Sequence, residues 1–486
     1  MPLPEIIEIN DPIIKEIGET ADSLNLKIYV VGGYVRDYFL GKYGSDIDFT
    51  VIGDAIEFAK LIAQKYHTKE VIYERFRTAL VPSGRYKLEF VGTRKEEYNK
   101  NSRKPTVSEG TLDDDLRRRD FTVNAMAISI NSDTFGQFHD RFNGVKDLSS
   151  GILRTPLEAA ITFSDDPLRM MRAARFAAKL NFTLEDSLAE AMKSMSERIS
   201  IISQERISDE FLKTLAAPKP SAGLKILRES GLLSIVFPEI DRLSGVELRQ
   251  IGRQEYSHKD VFMHTLQVLD NLAAASDNLW LRYAALTHDI AKPKTKRFVE
   301  GTGWTFYGHE ELGARWQREI FRRMRFPLEH LPYVETLIRM HQRPMKLVED
   351  GITDSAVRRL AVQAGDSLED LFALCRADIT TKNPDRARKY LRNYDVVFQK
   401  VLDVRERDNL REFQSPVRGE EIMALCNIPA SRTVGFIKTA IEEAILDGII
   451  PNDYAAAKQF LLDSMNLWLT EAESNPAIRT NRRAPK

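Results

Sequence analysis

The spacing of apolar residues changes near residue 150, and this change most constrains the fold. Before it, short β-branched runs bounded by glycine alternate with an amphipathic helical pattern over 55–66. The predicted strands lie at 27–31, 46–52, at 78–92 as a pair joined by a turn, and around 123–130. After Gly151 the periodicity is almost wholly helical. The pattern therefore predicts an α+β chain, with a mixed head followed by an all-helical body.

Length and charge set the limits for domain organisation and partners. A chain of 486 residues has room for about three domains at roughly 150 residues each. Its 70 Lys+Arg and 71 Asp+Glu give a net charge of −1, which excludes a uniformly basic nucleic-acid coat but not a local basic patch. We expect a head over 1–150, a helical region over 151–245, a histidine-rich domain over 246–400, and a helical segment over 401–486 with a basic, disordered tail.

The cysteine content, the apolar runs and the N-terminal residues indicate the cellular compartment of the protein. The two cysteines cannot form a disulfide framework or a thiolate zinc site. Apolar runs fall short of the roughly 20 residues that a membrane span needs, and the acidic N-terminus does not look like a signal peptide. The sequence therefore predicts a cytoplasmic protein without membrane association.

The head contains a glycine pair and two groups of acidic residues that could serve one site. Gly32 and Gly33 join a strand to a helix, a turn that lets backbone N–H groups approach a phosphate, although such a pair is often only a turn. Asp46 and Asp48 share one strand face, where two carboxylates suit divalent cations; the alternative is a solvated strand end. Glu89 is either a third ligand or the polar side of an edge strand, and its local pattern alone favours the latter.

Three motifs together resemble the class II tRNA nucleotidyltransferase and bacterial poly(A) polymerase family. They are GGYVRD (32–37), DID (46–48) and RRDFTVNA (118–125). The resemblance implies a polymerase-beta-like nucleotidyltransferase head in which Asp46 and Asp48 bind Mg²⁺ and Glu89 is the third active-site carboxylate. It also implies nucleotide contacts from Gly32, Gly33, Arg36, Arg118, Arg119, Asp120 and Asn124.

A further family motif, SDDPLRMMR, covers 164–172, and Asp165 replaces the usual glutamate. We expect one helix over 165–179, with Asp166 and Arg169 at i and i+3; such a pair could be only a surface ion pair. The resemblance makes them a template for the incoming base. A carboxylate accepts from an exocyclic amino group and a guanidinium donates to a ring nitrogen, which suits cytosine and adenine and excludes uracil and guanine.

The same helix carries two more arginines. By the resemblance, Arg172 and Arg175 reach the triphosphate. Residues 205–210 match the next family motif more loosely, and either structural support or contact fits them.

The second half carries histidines and aspartates in the order that resembles the HD phosphohydrolase superfamily. The resemblance implies four core metal ligands and two additional ones: His264, His288, Asp289 and Asp378, then His309 and His341. Lys292 is expected to contact a phosphate. The metal is a divalent transition metal or Mg²⁺, and the alternative is a metal site that only stabilises the helices.

The resemblance implies addition of CCA to the 3′ end of tRNA from CTP and ATP, with release of pyrophosphate and without an obligatory protein partner. A second, metal-dependent hydrolase activity is expected from the HD domain. The alternatives are a poly(A) polymerase, an A-adding tRNA enzyme, and a hydrolase of RNA phosphate ends whose head only binds RNA. A polar loop at 95–110 argues against an enzyme that adds only CC.

Overall fold

A computed structural model describes residues 5–42, 44–74, 77–97, 106–245, 249–251, 254–256, 260–349, 351–407 and 415–474. The chain forms two compact units, Met1–Pro238 and Glu239–Lys486. Residues 98–105 of the predicted polar loop and the whole basic tail lie outside the described residues. Among the described helices, none is both long and apolar enough to cross a membrane.

The described part of the first unit contains one large mixed sheet and two separate pairs of strands. Its strands are β1 (Lys27–Val31), β2 (Asp46–Ile52), β3 (Val71–Tyr73), β4 (Thr78–Ser83), β5 (Tyr86–Gly92), β6 (Arg94–Glu97), β7 (Thr106–Glu109), β8 (Ala127–Ser129), β9 (Phe138–His139), β10 (Ile152–Leu153) and β11 (Thr183–Leu184). Seven of them form one sheet in the order β3-β4-β5-β2-β1-β8-β9. Strands β2 and β5 run parallel, and the other neighbours in this sheet run antiparallel. The predicted mixed head is confirmed.

The helices of the first unit cover the sheet and then continue as a bundle. They are α1 (Pro12–Ser23), α2 (Gly33–Phe39), α3 (Ala55–Lys65), α4 (Leu112–Arg117), α5 (Gly144–Ser150), α6 (Ala159–Asp165), α7 (Leu168–Leu180), α8 (Asp186–Met195), α9 (Gln204–Leu215), α10 (Pro220–Glu229) and α11 (Leu232–Val236), with α12 (Pro238–Asp241) at the unit boundary. Short 3₁₀ turns lie at Thr122–Asn124 and Ser196–Ile201.

Alternation along β2 separates a buried apolar face from a polar one. Phe49 is fully buried and stacks on Phe90 of β5 with ring centroids 4.9 Å apart, and Phe58 of α3 packs edge-on against Phe90 at 5.4 Å. This packing fixes the register of β2, because a slip of one residue would turn the phenylalanines outwards. Asp46 and Asp48 consequently project from the opposite face.

Three predictions about the first unit need correction. The helix predicted over 165–179 is interrupted, because a residue before proline is restricted to extended backbone: Asp166 has φ −145° and ψ 101°, and α7 begins only after Pro167. The strand expected around 123–130 is a 3₁₀ turn followed by the three residues of β8. The described ends of the polar loop pair with each other as β6 and β7.

In its described residues, the second unit is made of helices and two short hairpins. Its strands are β12 (Arg249–Ile251), β13 (Gln254–Tyr256), β14 (Arg297–Val299) and β15 (Gly303–Thr305). Its helices are α13 (Val261–Ala273), α14 (Leu279–Thr287), α15 (Lys292–Thr295), α16 (His309–Arg323), α17 (Leu331–Met340), α18 (Arg343–Glu349), α19 (Asp354–Ala364), α20 (Leu368–Ala377), α21 (Pro384–Arg407), α22 (Gly419–Cys426), α23 (Arg432–Leu446) and α24 (Tyr454–Ser474). Short 3₁₀ turns lie at Leu328–His330 and Gly365–Ser367.

Two apolar cores lie among the described residues of this unit. One lies among α13, α14, α17 and α19 to α21, and includes Phe372 and Tyr394. The other lies among α22 to α24, and includes Ile437 and Trp468. The helical character predicted for the second half is confirmed, whereas the division of the chain into four segments stays a prediction.

Candidate active sites

Three carboxylates lie together on the polar face of the large sheet. Asp48 of β2 is the register partner of Glu89 in the parallel strand β5, so both side chains project from the same face. Asp46 lies two residues before Asp48 on that face, at the exposed start of the strand. The sequence pattern had left Glu89 open between a ligand and an edge position, and the register places it beside Asp48 in the middle of the sheet.

Burial disfavours the charged form of two of these carboxylates, Asp48 and Glu89. Burial raises the pKa of Asp48, Asp46 raises it further, and Arg119 opposes the shift. Burial and the charge of Asp48 likewise raise the pKa of Glu89. Oxygen donors of this kind are the ligands that Mg²⁺ prefers. Asp48 and Glu89, with Asp46 on the same strand face, therefore offer oxygen ligands to a divalent cation, whose charge would favour their ionised forms.

The backbone at Gly32 brings Arg119 close to Asp48. Gly32 has φ +69°, a conformation that favours glycine. A Cβ atom there would lie 2.9 Å from Nη1 of Arg119 and 3.2 Å from Oδ2 of Asp48. The first glycine of the GGYVRD motif is thus required by close packing at the carboxylates.

Asp115 holds two arginines of the RRDFTVNA motif in place. It is fully buried and accepts hydrogen bonds from Arg118 Nε (3.0 Å), Arg119 Nη2 (2.9 Å) and Thr50 Oγ1 (3.0 Å). Burial opposes ionisation, but Arg119 and Arg118 outweigh it and hold the pKa of Asp115 at about 2. We did not predict this residue from the sequence; its position three and four residues before the arginines was the available signal.

We expect Asp115→Asn to lower the free energy of unfolding of the protein by about 2 kcal/mol at pH 7, the value that corresponds to a pKa shift from 3.8 to about 2. Because the folded-state pKa is depressed, this stabilisation is complete above the unfolded pKa and is lost as the pH falls towards 2. Urea midpoints of wild type and variant between pH 3 and 7 measure the effect. A difference that stayed constant across this range would contradict the assigned charge pairing.

Asp120 links the head to α7 through a buried network. Its Oδ2 accepts from Arg172 Nε at 2.8 Å, and its Oδ1 accepts from Asn124 Nδ2 at 3.0 Å. Asn124 Oδ1 in turn accepts from Arg36 Nη1 at 2.6 Å. Arg172 outweighs the effect of burial and lowers the pKa of Asp120 to about 2. Four residues that we expected to contact the nucleotide therefore form one hydrogen-bonded group: Arg36, Asn124, Asp120 and Arg172. Within this group, the Asp120 carboxylate is paired with Arg172.

The two residues expected to recognise the base have separate partners in the structure. Asp166 accepts from the backbone N–H of Leu168 at 3.1 Å and from Nη2 of Arg206 at 2.8 Å. Arg169 instead donates to the backbone oxygen of Arg118 at 2.6 Å. Asp166 and Arg169 thus flank the start of α7 without forming the surface ion pair that their spacing allowed, and Arg206 is an additional partner.

Arg175 is held by a carboxylate from the loosely matching motif at 205–210. Its Nε donates to Oε2 of the buried Glu210 at 2.6 Å, and its guanidinium lies 4.3 Å from the ring centroid of Phe176. Glu210 is also 3.7 Å from Nη1 of Arg172. Glu210 therefore supports α7 and Arg206 reaches Asp166, whereas contact of this motif with a bound ligand stays a prediction.

The second unit gathers its histidines and aspartates at helix ends. His288 and His341 directly follow α14 and α17, His309 begins α16, and Asp378 directly follows α20. His264 lies within the first half of α13. Side chains at the ends of several converging helices can surround a single point, whereas side chains that follow one another along one helix cannot.

The distances define two overlapping groups of possible metal ligands. They are His264, His288 and Asp378, and His288, Asp289 and His341, and within each group the ligand atoms lie within 4.8 Å of one another. His309 Nε2 adds a contact of 3.2 Å to Asp289 Oδ1. All six residues predicted for this site are thus brought together.

Hydrogen bonds orient the histidine rings towards the centre of this cluster. Nδ1 of His288, His309 and His341 lies 2.8, 2.8 and 2.7 Å from the backbone oxygen three residues earlier, as expected if it is the protonated nitrogen. Nε2 is then free to act as a ligand. His288 Nε2 and Asp289 Oδ1 are buried, and each lies close to another member of the cluster: His288 Nε2 is 3.3 Å from Asp289 Oδ2, and Asp289 Oδ1 is 3.2 Å from His309 Nε2. Neither contact has the geometry of a hydrogen bond, so these atoms and the nitrogen and oxygen donor set fit a divalent metal ion.

A cavity of about 480 Å³ opens onto this cluster. Its walls include His264, Asp378, Lys292, Phe306 and Tyr390. Lys292, which we expected to contact a phosphate, has its Nζ 2.6 Å from Oδ2 of Asp289. The cavity beside the possible metal ligands is therefore lined by a lysine and by aromatic rings.

The sequence matches three protein families in the order of these features. Residues 28–154 match the poly A polymerase head domain, 181–243 match the probable RNA and SrmB-binding site of polymerase A, and 261–379 match the HD domain. The multifunctional CCA protein of Nitrosococcus oceani is 31% identical over 374 residues, which are 75% of this chain and 87% of the relative. The chain belongs to the tRNA nucleotidyltransferase and poly(A) polymerase family. The multifunctional CCA protein of Chromobacterium violaceum is 35% identical over 62% of this chain and 71% of its own length.

Solved structures agree on the fold of this tRNA nucleotidyltransferase family member. The Bacillus stearothermophilus CCA-adding enzyme in complex with CTP has a TM-score of 0.65 at 21% identity, over 94% of this chain and 98% of that chain. The Thermotoga maritima CCA-adding enzyme complexed with tRNA has a TM-score of 0.57 at 20% identity, over 93% and 96%. Both the nucleotidyltransferase and the HD families are metal-dependent.

Proposed function

We propose that this enzyme adds CCA to the 3′ end of tRNA, using CTP and ATP and releasing pyrophosphate. The observation that carries this proposal is the group of Asp46, Asp48 and Glu89 beside Arg119, with Asp166 held at the start of α7 in the same unit. The relatives named CCA proteins and the CTP- and tRNA-bound neighbours support the choice of substrates.

In the transfer step, the 3′-hydroxyl oxygen of the RNA bonds to the α-phosphorus, its proton is released to water, and the bond between the α-phosphorus and pyrophosphate breaks. Magnesium ions held by Asp46, Asp48 and Glu89 would activate the hydroxyl and stabilise the leaving group. Arg119 contributes a fixed positive charge beside Asp48, and Asp115 keeps it oriented. Gly32 keeps the backbone close to Arg119 and Asp48, and Gly33 begins α2 beside it, so we assign both glycines to contacts with the triphosphate. We assign Arg36, Arg118, Asp120, Asn124, Arg172 and Arg175 to the surrounding framework and nucleotide contacts.

Base selection is proposed to use Asp166 as acceptor and Arg169 as donor. Arg206 and the backbone N–H of Leu168 fix the Asp166 carboxylate, so that its free lone pairs can accept from the amino group of cytosine or adenine. Uracil and guanine would leave the carboxylate facing a carbonyl oxygen, which is unfavourable in a partly buried site.

The proposal is tested by supplying labelled CTP and ATP with tRNA transcripts that end before the first C, after C, and after CC. Completion of CCA on each transcript, with no further addition, supports it. Long A tails would identify a poly(A) polymerase, and addition of A alone to transcripts ending in CC would identify an A-adding enzyme. Either result contradicts CCA addition.

We expect Asp166→Ala to reduce the preference for CTP over UTP by at least about tenfold while also slowing addition, because the carboxylate that selects an amino group is removed. The kcat/KM ratio for the two nucleotides measures the effect. Asp186→Ala is the matched control, since Asp186 is an exposed aspartate of α8 that lies outside the family motifs. Unchanged discrimination against UTP in Asp166→Ala would refute the template role.

A second activity, metal-dependent phosphohydrolysis, is favoured by the complete ligand cluster of the second unit. His264, His288, Asp289 and Asp378 are proposed as core ligands, and His309 and His341 as ligands of a further metal. The metal is proposed to be a divalent transition metal or Mg²⁺. Because its RNA and nucleotide substrates are cytoplasmic, we propose the cytoplasm as the location of the enzyme.

A further inference from the structure

Two strongly basic segments flank the cavity of the second unit. Residues 292–297 carry four cations and no carboxylate, and residues 382–392 carry five cations and one carboxylate, Asp385. The whole chain has a net charge of −1, so this concentration of positive charge is local. A local basic patch on a neutral protein is the electrostatic footprint of a polyanion site.

Most of these cations are exposed and have no acidic partner. Across the described part of the chain, no ion pair involves any of six exposed cations: Lys294, Arg297, Lys382, Arg386, Lys389 and Arg392. Asp385, the single carboxylate of the two segments, lies 2.6 Å from Nη2 of Arg388. The six cations are therefore available to an anion from solution.

Both segments reach the cavity itself. Lys292 opens the first segment and lines the cavity together with Phe306, while Tyr390 lines it from the second segment and Thr381 lines it directly before that segment. Lys389 directly precedes Tyr390 on α21, and Arg386 lies four residues before Tyr390, which places it on the same side of the helix. The exposed cations therefore adjoin a cavity wall that contains the aromatic rings of Phe306 and Tyr390.

This arrangement exceeds the needs of a small phosphate ester. The metal ligands and Lys292 would suffice for one phosphate group, and a free nucleotide would leave the outer cations without a role. Spaced cations together with Phe306 and Tyr390 suit successive phosphates and unstacked bases of single-stranded RNA.

We propose that residues 292–297 and 382–392 form a docking surface for a single-stranded RNA whose terminal phosphomonoester enters the cavity. This inference rests on the phosphohydrolase activity proposed above. In the reaction, a water oxygen bonds to phosphorus and the P–O bond to the RNA oxygen breaks. That oxygen takes up a proton from the water, giving an RNA with a terminal hydroxyl and inorganic phosphate.

The test compares three substrates: a hexanucleotide with a 3′-phosphate, the same hexanucleotide with a 5′-phosphate, and p-nitrophenyl phosphate. The full-length variants are Lys294→Glu/Arg297→Glu and Arg386→Glu/Lys389→Glu. The matched control is Arg318→Glu/Arg322→Glu on α16, where both arginines are exposed and lie about 14 and 20 Å along the helix from His309.

We expect each flanking variant to raise KM for at least one phosphorylated hexanucleotide by about tenfold or more, because the cations that would neutralise the RNA phosphates are replaced by carboxylates. KM for p-nitrophenyl phosphate and kcat should change less than twofold, and the control variant should behave as wild type. The oligonucleotide that responds shows which RNA end is bound. Equal increases for the small substrate, or no increase for either hexanucleotide, would overturn the docking surface.

Binding provides a second readout that does not depend on hydrolysis. Fluorescence anisotropy of the labelled hexanucleotide should show weaker binding to the flanking variants and a shallower salt dependence, with the log–log slope smaller by about 0.7 for each phosphate that is no longer neutralised. A polyglutamate that competes as well as the hexanucleotide would overturn RNA recognition in favour of an acidic protein. If wild type cleaves none of the substrates, the proposed hydrolase activity fails, whereas unchanged affinity and slope in the variants would refute the surface itself.

Discussion

Replacement of Asp48 by asparagine should reduce nucleotidyl transfer by at least about 10³-fold, because the amide keeps the shape of the side chain but removes the charge at the centre of the carboxylate group. Asp48 lies between Asp46 on its own strand and Glu89 across the parallel register. In the variant, Asp46 and Glu89 keep their carboxylates, but the carboxylate that lies between them is lost. Single-turnover incorporation of labelled CTP into tRNA measures the effect.

The same variant should hydrolyse p-nitrophenyl phosphate at the wild-type rate, because the HD cluster belongs to the other compact unit. Asp133→Asn is a matched control, since Asp133 is an exposed aspartate of the head. Substantial CTP incorporation by Asp48→Asn, or loss of both activities in a folded protein, would contradict the assignment of transfer to this group.

The opposite separation is expected for His288→Ala, which should lower phosphohydrolysis by about 10²-fold or more and leave CCA addition unchanged. His288 belongs to both groups of possible metal ligands, and its Nε2 is buried 3.3 Å from Oδ2 of Asp289. Removal of this single ring therefore weakens both groups. Hydrolysis of p-nitrophenyl phosphate and metal content of the purified protein measure the change.

Two variants guard this prediction against a folding artefact. His330→Ala removes a histidine of the same unit that lies outside the cluster and stacks on Trp280. Asp378→Asn alters the half-buried ligand 2.9 Å from His264 Nε2, and should reproduce the loss of hydrolysis. Full hydrolysis by both His288→Ala and Asp378→Asn would show that the cluster is not the hydrolytic site.

Local patterns were sufficient for the strands that carry the first site. The runs at 27–31 and 46–52 coincide with β1 and β2, since β-branched residues bounded by glycine leave little choice of structure. The position of Glu89 was not predictable in the same way. Its role depends on which strand lies beside β5, and pairing between distant strands is a property of the whole sheet.

Long-range contacts also explain what was missed at α7. Arg206 reaches Asp166 across 40 positions of sequence, and a helical pattern does not reveal such a partner. The interruption before α7 was predictable in principle from Pro167, which restricts Asp166. In the second unit, the order of the histidines predicted the cluster of metal ligands. The sequence did not predict that the two basic segments lie at one cavity, because this depends on the folded positions of Lys292, Thr381 and Tyr390 in its wall.

The parallel pairing of β2 with β5 has a consequence for how sequences of this kind can change in length. The chain between the paired residues Asp48 and Glu89 crosses from one strand to the other through α3, β3 and β4. Insertions in the turns of this crossover leave the pairing untouched. One residue inserted within β2 between Asp48 and Ile52 would turn either the carboxylates or the apolar side chains to the wrong face. Natural variants should therefore differ in length within the crossover and share an unchanged spacing within the seven residues of β2.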